Sequence, residues 1–140
     1  DLPQALAEAE AGDQIWVAEG VYRPVASGLR SSAFQLKSGV RMYGGFAGAE
    51  NWLHERDWAA RPTILSGDIG TLNNPADNVY HVITAGQVSS STVLDGLIIT
   101  GGNADGNDAD GWGGGLLNHG PHAVDQATAA GCITWAVRRC

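Results

Sequence analysis

The spacing of apolar and polar positions changes once, near the start of the chain. From Asp1 to Glu10 the apolar residues Leu2, Leu6 and Ala9 recur at intervals of four and three, which predicts a short amphipathic helix. Asp1 is placed to cap it, Pro3 is tolerated in its first turn, and Gly12 offers a left-handed stop. A helix this short is not stable alone, so it is expected to lie against an apolar surface such as the covered end of a sheet. Beyond Gly12 the apolar positions become β-branched and sit in short runs broken by glycine, the mark of strands and bends. These runs are Ile15 to Ala18, Val21-Tyr22, Phe34 to Leu36, Val40 to Tyr43, Thr63 to Leu65, Val79 to Thr84 and Val93 to Thr100.

The longest of them, Val93-Leu94-Asp95-Gly96-Leu97-Ile98-Ile99-Thr100-Gly101-Gly102-Asn103-Ala104, reads as strand, bend, strand, bend. Met42-Tyr43-Gly44-Gly45-Phe46-Ala47 echoes its second half, with a strand, Gly-Gly, one residue and then Ala. Glu50 to Pro62 reads as an excursion with a helical turn, whose tryptophans pack back on the body. Strand onsets recur at a rough period of about 20 to 25 residues, closer than βαβ units need. Few Asn-Gly or Asp-Gly junctions separate clean alternating runs, so a hairpin meander is less natural. The pattern therefore predicts an all-β solenoid of coils, stacked at roughly the 4.8 Å interstrand spacing.

Several of these segments carry a family resemblance. The opening helix, Gly12 to Val17 and Glu19-Gly20-Val21-Tyr22 resemble the N-terminal cap of pectin-lyase-like right-handed parallel β-helix proteins. Val40 to Ala47, Arg56-Asp57-Trp58, Ile64 to Gly70, His81-Val82-Ile83, Leu94 to Ala104 and Gly113 to Asn118 resemble large secreted bacterial β-helix-repeat proteins. The resemblance implies a right-handed parallel β-helix over residues 1–119 with the helix as its N-terminal cap. It also implies a secreted or cell-surface location. No signal peptide is legible in the chain, which starts at Asp1. Residues 120–140 depart from the pattern, being Ala-rich with Gly131 as the last glycine bend. Either this tail caps the last coil, or the open coil pairs with a second copy and makes a homo-oligomer.

Composition narrows the partners. The 140 residues suit one domain, and 20 glycines with only 16% charged residues indicate a turn-rich globular chain. A formal charge of −7 without a basic patch disfavours nucleic acid, whose phosphates must be neutralised. No apolar run reaches the length of a membrane span. Cys132 and Cys140 leave the redox compartment open between a pair, an intermolecular link and free thiols.

Candidate chemistry is sparse. Asp105, Asn107, Asp108 and Asp110 lie on a glycine-rich loop and offer hard oxygen ligands to Ca²⁺, although their spacing fails the EF-hand pattern. The bland alternative is a solvated turn made of good turn formers. Asp68 and Asp95 each sit at a strand bend; a pair separated by roughly 5 to 9 Å could hydrolyse a glycosidic bond. Each is more simply an acceptor for backbone N–H groups of its own turn. The lyases of the superfamily use Ca²⁺-binding aspartates and a basic residue, and no such group matches here. His119 and His122 with Cys132 and Cys140 are zinc-type ligands at unusual gaps. His54 and His81 are lone histidines, and Gly111 to Gly115 lacks the Lys-Ser/Thr of a phosphate loop. Trp52, Trp58 and Trp112 are the candidates for stacking on sugar rings, whereas Trp16 is expected in core or cap packing. The sequence thus points to a non-catalytic scaffold or binding module, with polysaccharide as its ligand class. The alternative is a remnant of a polysaccharide lyase or glycoside hydrolase that uses Asp68, Asp95 or the 105–110 loop.

Overall fold

The structure, a computed structural model, describes residues 1–24 and 28–119. The candidates His122, Cys132 and Cys140, and the role of the 120–140 tail, lie outside the described residues. Helix α1 (Leu2–Glu8) begins as expected, with the Asp1 carboxylate accepting the Gln4 N–H at 2.9 Å. Its C-terminus differs from the expectation: Ala9 caps it in extended conformation, and Gly12 belongs to the following turn. Lys37 Nζ donates to the carbonyls of Ala7 (2.5 Å) and Ala9 (3.1 Å), supplying donors and positive charge where a helix end lacks them. The buried face, Leu2, Leu6 and Ala9, packs across β1 (Gln14–Ala18) and β3 (Phe34–Leu36).

Beyond the helix the chain makes three passes of three short strands each. The first pass is β1, β2 (Gly20–Tyr22) and β3. The second is β4 (Arg41–Phe46), β5 (Thr63–Ser66) and β6 (Ile83–Ala85). The third is β7 (Val93–Asp95), β8 (Leu97–Thr100) and β9 (Leu116–Asn118). Corresponding strands pair in parallel to give the sheets β1-β4-β7, β2-β5-β8 and β3-β6-β9. This order is compatible with a parallel β-helix. Inward residues line up in columns across the passes, such as Ile15, Met42 and Leu94, or Tyr22, Leu65 and Ile99. Phe34, Ile83 and Leu116 form the third column, and the three columns meet in one apolar core.

The offset between stacked strands is 27 residues from Gln14 to Arg41 but 52 from Arg41 to Val93. Connecting loops of unequal length absorb the difference, so the period of about 20 to 25 residues is not the stacking period. The Gly-Gly echo is likewise not a stacking relationship, because Met42 pairs with Ile15 and Leu94 whereas Ile99 pairs with Leu65 in another sheet. Gly44 and Gly45 remain inside β4, beside a register shift between Val17 and Ala18. A Cβ on Gly44 would lie 2.3 Å from the Gly96 carbonyl of the next pass, so the two backbones meet where a side chain has no room. The expected strand from Val79 to Thr84 is shorter than its apolar pattern. Val79 and Val82 are fully buried, but their N–H groups donate to the Gly67 and Gly114 carbonyls rather than to a ladder.

Candidate functional site

Asp95 ends β7, and its Oδ2 accepts from Arg56 Nη2 at 2.5 Å. Arg56 arrives from the loop after β4, and its guanidinium lies 5.2 Å from the Tyr43 ring centroid, a cation–π contact. A Cβ on Gly96 would stand 2.9 Å from Arg56 Nη1, so the Asp-Gly bend both presents the carboxylate and clears space for its partner. Asp95 therefore braces an excursion 39 residues upstream instead of its own turn. Asp68 follows β5, in a different sheet register from Asp95. Its Oδ2 accepts the Asn73 N–H at 3.0 Å, which agrees with a local bracing role, while its Oδ1 is buried without a hydrogen-bond partner.

The acidic loop is divided among separate contacts. Asp105 pairs with Arg30 and accepts from Asn103 Nδ2 at 3.0 Å; the hydrogen bond from Arg30 holds its carboxyl below the usual carboxylate range. Asn107 precedes a 3₁₀ turn over Asp108–Gly111, and Asp108 adopts φ +52°. Asp110 Oδ1 stands 3.6 Å from His81 Nε2, and His81 Nδ1 faces the Gly113 carbonyl at 3.2 Å. Among the described residues no three His, Cys, Asp or Glu side chains gather as a metal-binding group. Arg30 is the hub of this corner. It donates to the Asn78 carbonyl (2.7 Å) and the Asn103 carbonyl (3.1 Å) and covers the Tyr80 ring at 4.2 Å.

Trp16 stacks on Phe46 with centroids 4.8 Å apart, but it is 37% exposed and alternates with the inward Ile15 and Val17 of β1, so it is not the core or cap residue expected. Trp52 and Trp112 project, at 64% and 70% exposure, and Trp58 is 37% exposed. Trp52 thus does not pack back on the body as the pattern of its neighbours suggests. It precedes a 3₁₀ turn over Leu53–Glu55, with its N–H and that of Asn51 both donating to Glu55 Oε2 at 2.8 Å.

A polar cleft of about 330 Å³ opens beside the ends of β5 and β8, with Ser66, Asp68, Asn73, Pro75, Asn78 and Thr100 among its walls. Sequence reasoning placed only Asp68 here. Ser66 comes from β5 and Thr100 from β8, and Asn73, Pro75 and Asn78 come from the 71–78 loop, where a 3₁₀ turn over Pro75–Asp77 is capped by Asn74 and tied down by Asp77. The available signal was Asn73-Asn74-Pro75, a dense turn-forming cluster between two buried runs. Comparison of the chain with protein-family models, with curated proteins and with solved structures finds no match.

Proposed function

We propose that the chain is a right-handed parallel β-helix acting as a non-catalytic scaffold and binding module, with carbohydrate as its ligand class. The one-to-one pairing of three successive passes supports the β-helix, and parallel crossovers within a sheet are almost always right-handed. The pairing of Asp95 with Arg56 carries the choice of binding over hydrolysis. A carboxylate whose oxygen is taken by a guanidinium is poorly placed to protonate a leaving group as a general acid. The projecting Trp52 and Trp112 and the oxygen-rich cleft support a sugar ligand. Strands β7, β8 and β9 pair on one side only among the described residues, and this edge supports self-association of two copies. A secreted or surface location in a bacterium follows from the resemblance.

Affinity electrophoresis and product analysis on a panel of neutral and acidic polysaccharides test the binding reading. Retardation of the protein without cleavage is the expected result. Turnover that Asp68→Ala or Asp95→Ala abolishes would establish the hydrolase or lyase alternative instead. Sedimentation of the full chain should give a dimer or larger species; a strictly monomeric mass removes the self-association proposal.

A further inference from the structure

The outer face of the first two passes carries a block of side chains that the core does not use. In β1 the inward residues are Ile15 and Val17, so Gln14 and Trp16 face out. In β4 the inward Met42 places Arg41 and Tyr43 outward in the same way. Parallel pairing sets Gln14 beside Arg41 and Trp16 beside Tyr43, so the four residues share one patch. Trp16 lies flat on Phe46, with the ring planes 7° apart, and Phe46 is buried beneath it. One indole face is therefore occupied, which leaves the opposite face and the ring edge as its exposed part. The ring is fixed in rotation as well, because Nε1–H donates to Gln14 Oε1 at 3.2 Å. A flat aromatic ring held in place and open on one face suits stacking on the C–H side of a sugar, and little side-chain freedom is lost on binding. Among the described residues neither Trp52 nor Trp112 has a stacking partner of this kind.

The rim of the patch offers mainly donors. Gln14 commits Oε1 to Trp16 and keeps its Nε2 hydrogens. Arg23, Arg30, Arg56 and Arg61 each bond a carbonyl or a carboxylate, whereas the Arg41 guanidinium has no hydrogen-bond or ion-pair partner among the described residues. Asp95, the outward carboxylate of the same sheet, is already bonded to Arg56. On strand spacing alone the Cα atoms of Arg41 and Trp16 lie about 8 Å apart, within reach of a long side chain. We propose that this patch binds an anionic sugar residue, whose ring stacks on the free face of Trp16 while its carboxylate or sulfate ester accepts from Arg41 and Gln14 Nε2. The proposal rests on the carbohydrate-binding reading and adds to it the place of the site and the charge of the ligand. An anionic substituent is an acceptor only and can take two parallel bonds from a guanidinium, which a neutral ring cannot.

NMR of the full chain in EDTA, titrated separately with β-1,4-galactotriose, trigalacturonate and a κ-carrageenan tetrasaccharide, tests this. At least one of the two anionic probes should shift the Trp16 indole N–H and the amides of β1 and β4, and the arm that responds identifies carboxylate or sulfate as the anion. Galactotriose should bind about tenfold more weakly or not at all. Arg41→Gln should weaken the anionic probe about tenfold at unchanged melting temperature and remove its sensitivity to NaCl. Trp16→Ala should abolish the response. Equal binding of galactotriose, no effect of Arg41→Gln, or binding only after Ca²⁺ is restored overturns the proposal. Shifts confined to the surroundings of Trp52 and Trp112 overturn this site but leave carbohydrate binding standing. No response to any probe overturns the site too, and carbohydrate binding falls with it only if the polysaccharide panel is also negative.

Discussion

Arg56 and Asp95 meet at 2.5 Å across 39 residues of chain, with side chains only 16% and 23% exposed. The contact ties the excursion after β4 to the start of the third pass. Arg56 Nη1 is buried without a hydrogen-bond partner, so the pair is held by one strong bond and the Tyr43 face rather than by a fork.

Removing either partner leaves a half-buried charge behind. Asp95→Ala and Arg56→Ala should each destabilise the chain by about 2 kcal/mol, and the double variant by clearly less than the sum. Urea unfolding of the four proteins measures the coupling. Additive losses would mean that the two charges do not interact in solution.

Backbone contact between passes makes some glycines irreplaceable and others not. Gly44→Ala forces a Cβ to within 2.3 Å of the Gly96 carbonyl, as well as against Leu97 and Thr63. It should cost about 3 kcal/mol or prevent folding. Gly86→Ala meets nothing within 4 Å and should be neutral to slightly stabilising, by up to about 1 kcal/mol. Circular dichroism melts of both proteins make the comparison.

Glu50 is gripped by the N–H groups of Ala47, Gly48 and Ala49 and by Arg61 Nη1 at 3.0 Å. The hydrogen bond from Ala47 is foremost in lowering its pKa from 4.5 to about 2. Because the folded value is depressed, the stabilisation is present above the unfolded value and is lost as pH falls from about 4.5 through about 2. Glu50→Gln should therefore be less stable than the parent at pH 7 and indistinguishable from it near pH 2. A gap in urea midpoint that persists at the acid end would contradict this.

Arg30 joins the 71–78 loop to the last pass through Asn78, Asn103 and Asp105. Lysine retains the charge but has neither the planar fork nor the stacking surface that Tyr80 receives. Arg30→Lys should cost about 1 to 2 kcal/mol and accelerate amide exchange from Asn103 to Trp112. Acidification should have the same local effect. The lowered Asp105 carboxyl keeps its bond to Arg30 through the ordinary carboxylate range and loses it only as pH drops through the folded value. Exchange rates unchanged in Arg30→Lys would show that the loop is held without it.

Burial separates two aliphatic strand positions that look alike along the chain. Leu65→Ala, at a fully buried position, should cost about 3 kcal/mol. Ile98→Ala should cost about 1 kcal/mol or less, because Val21, Ile64 and Ile98 form an outward row and Ile98 is 36% exposed. Chemical unfolding distinguishes the two; equal losses would mean that the row is covered.

Local chemistry determined a good part of this protein. The i, i+4, i+7 spacing of Leu2, Leu6 and Ala9 with Asp1 before it specifies α1, and β-branched runs between glycines specify short strands that stack. Those signals act over a few residues, so they are legible without the fold. The pairing partners were not legible, because parallel register is set by loops of unequal length, and the Gly-Gly echo does not mark strands that pair. The extent of β6 also escaped, since buried valines look the same whether their N–H groups bond to a strand or to a loop. Asp95 was legible as a bend residue, but its partner Arg56 was not, since an ion pair spanning 39 residues has no local signature. The cleft belongs to the same class. Asp68 stood out, and Asn73 and Asn78 follow it within ten residues, yet Thr100 joins them only because β8 pairs with β5, and only tertiary structure brings those two strands together.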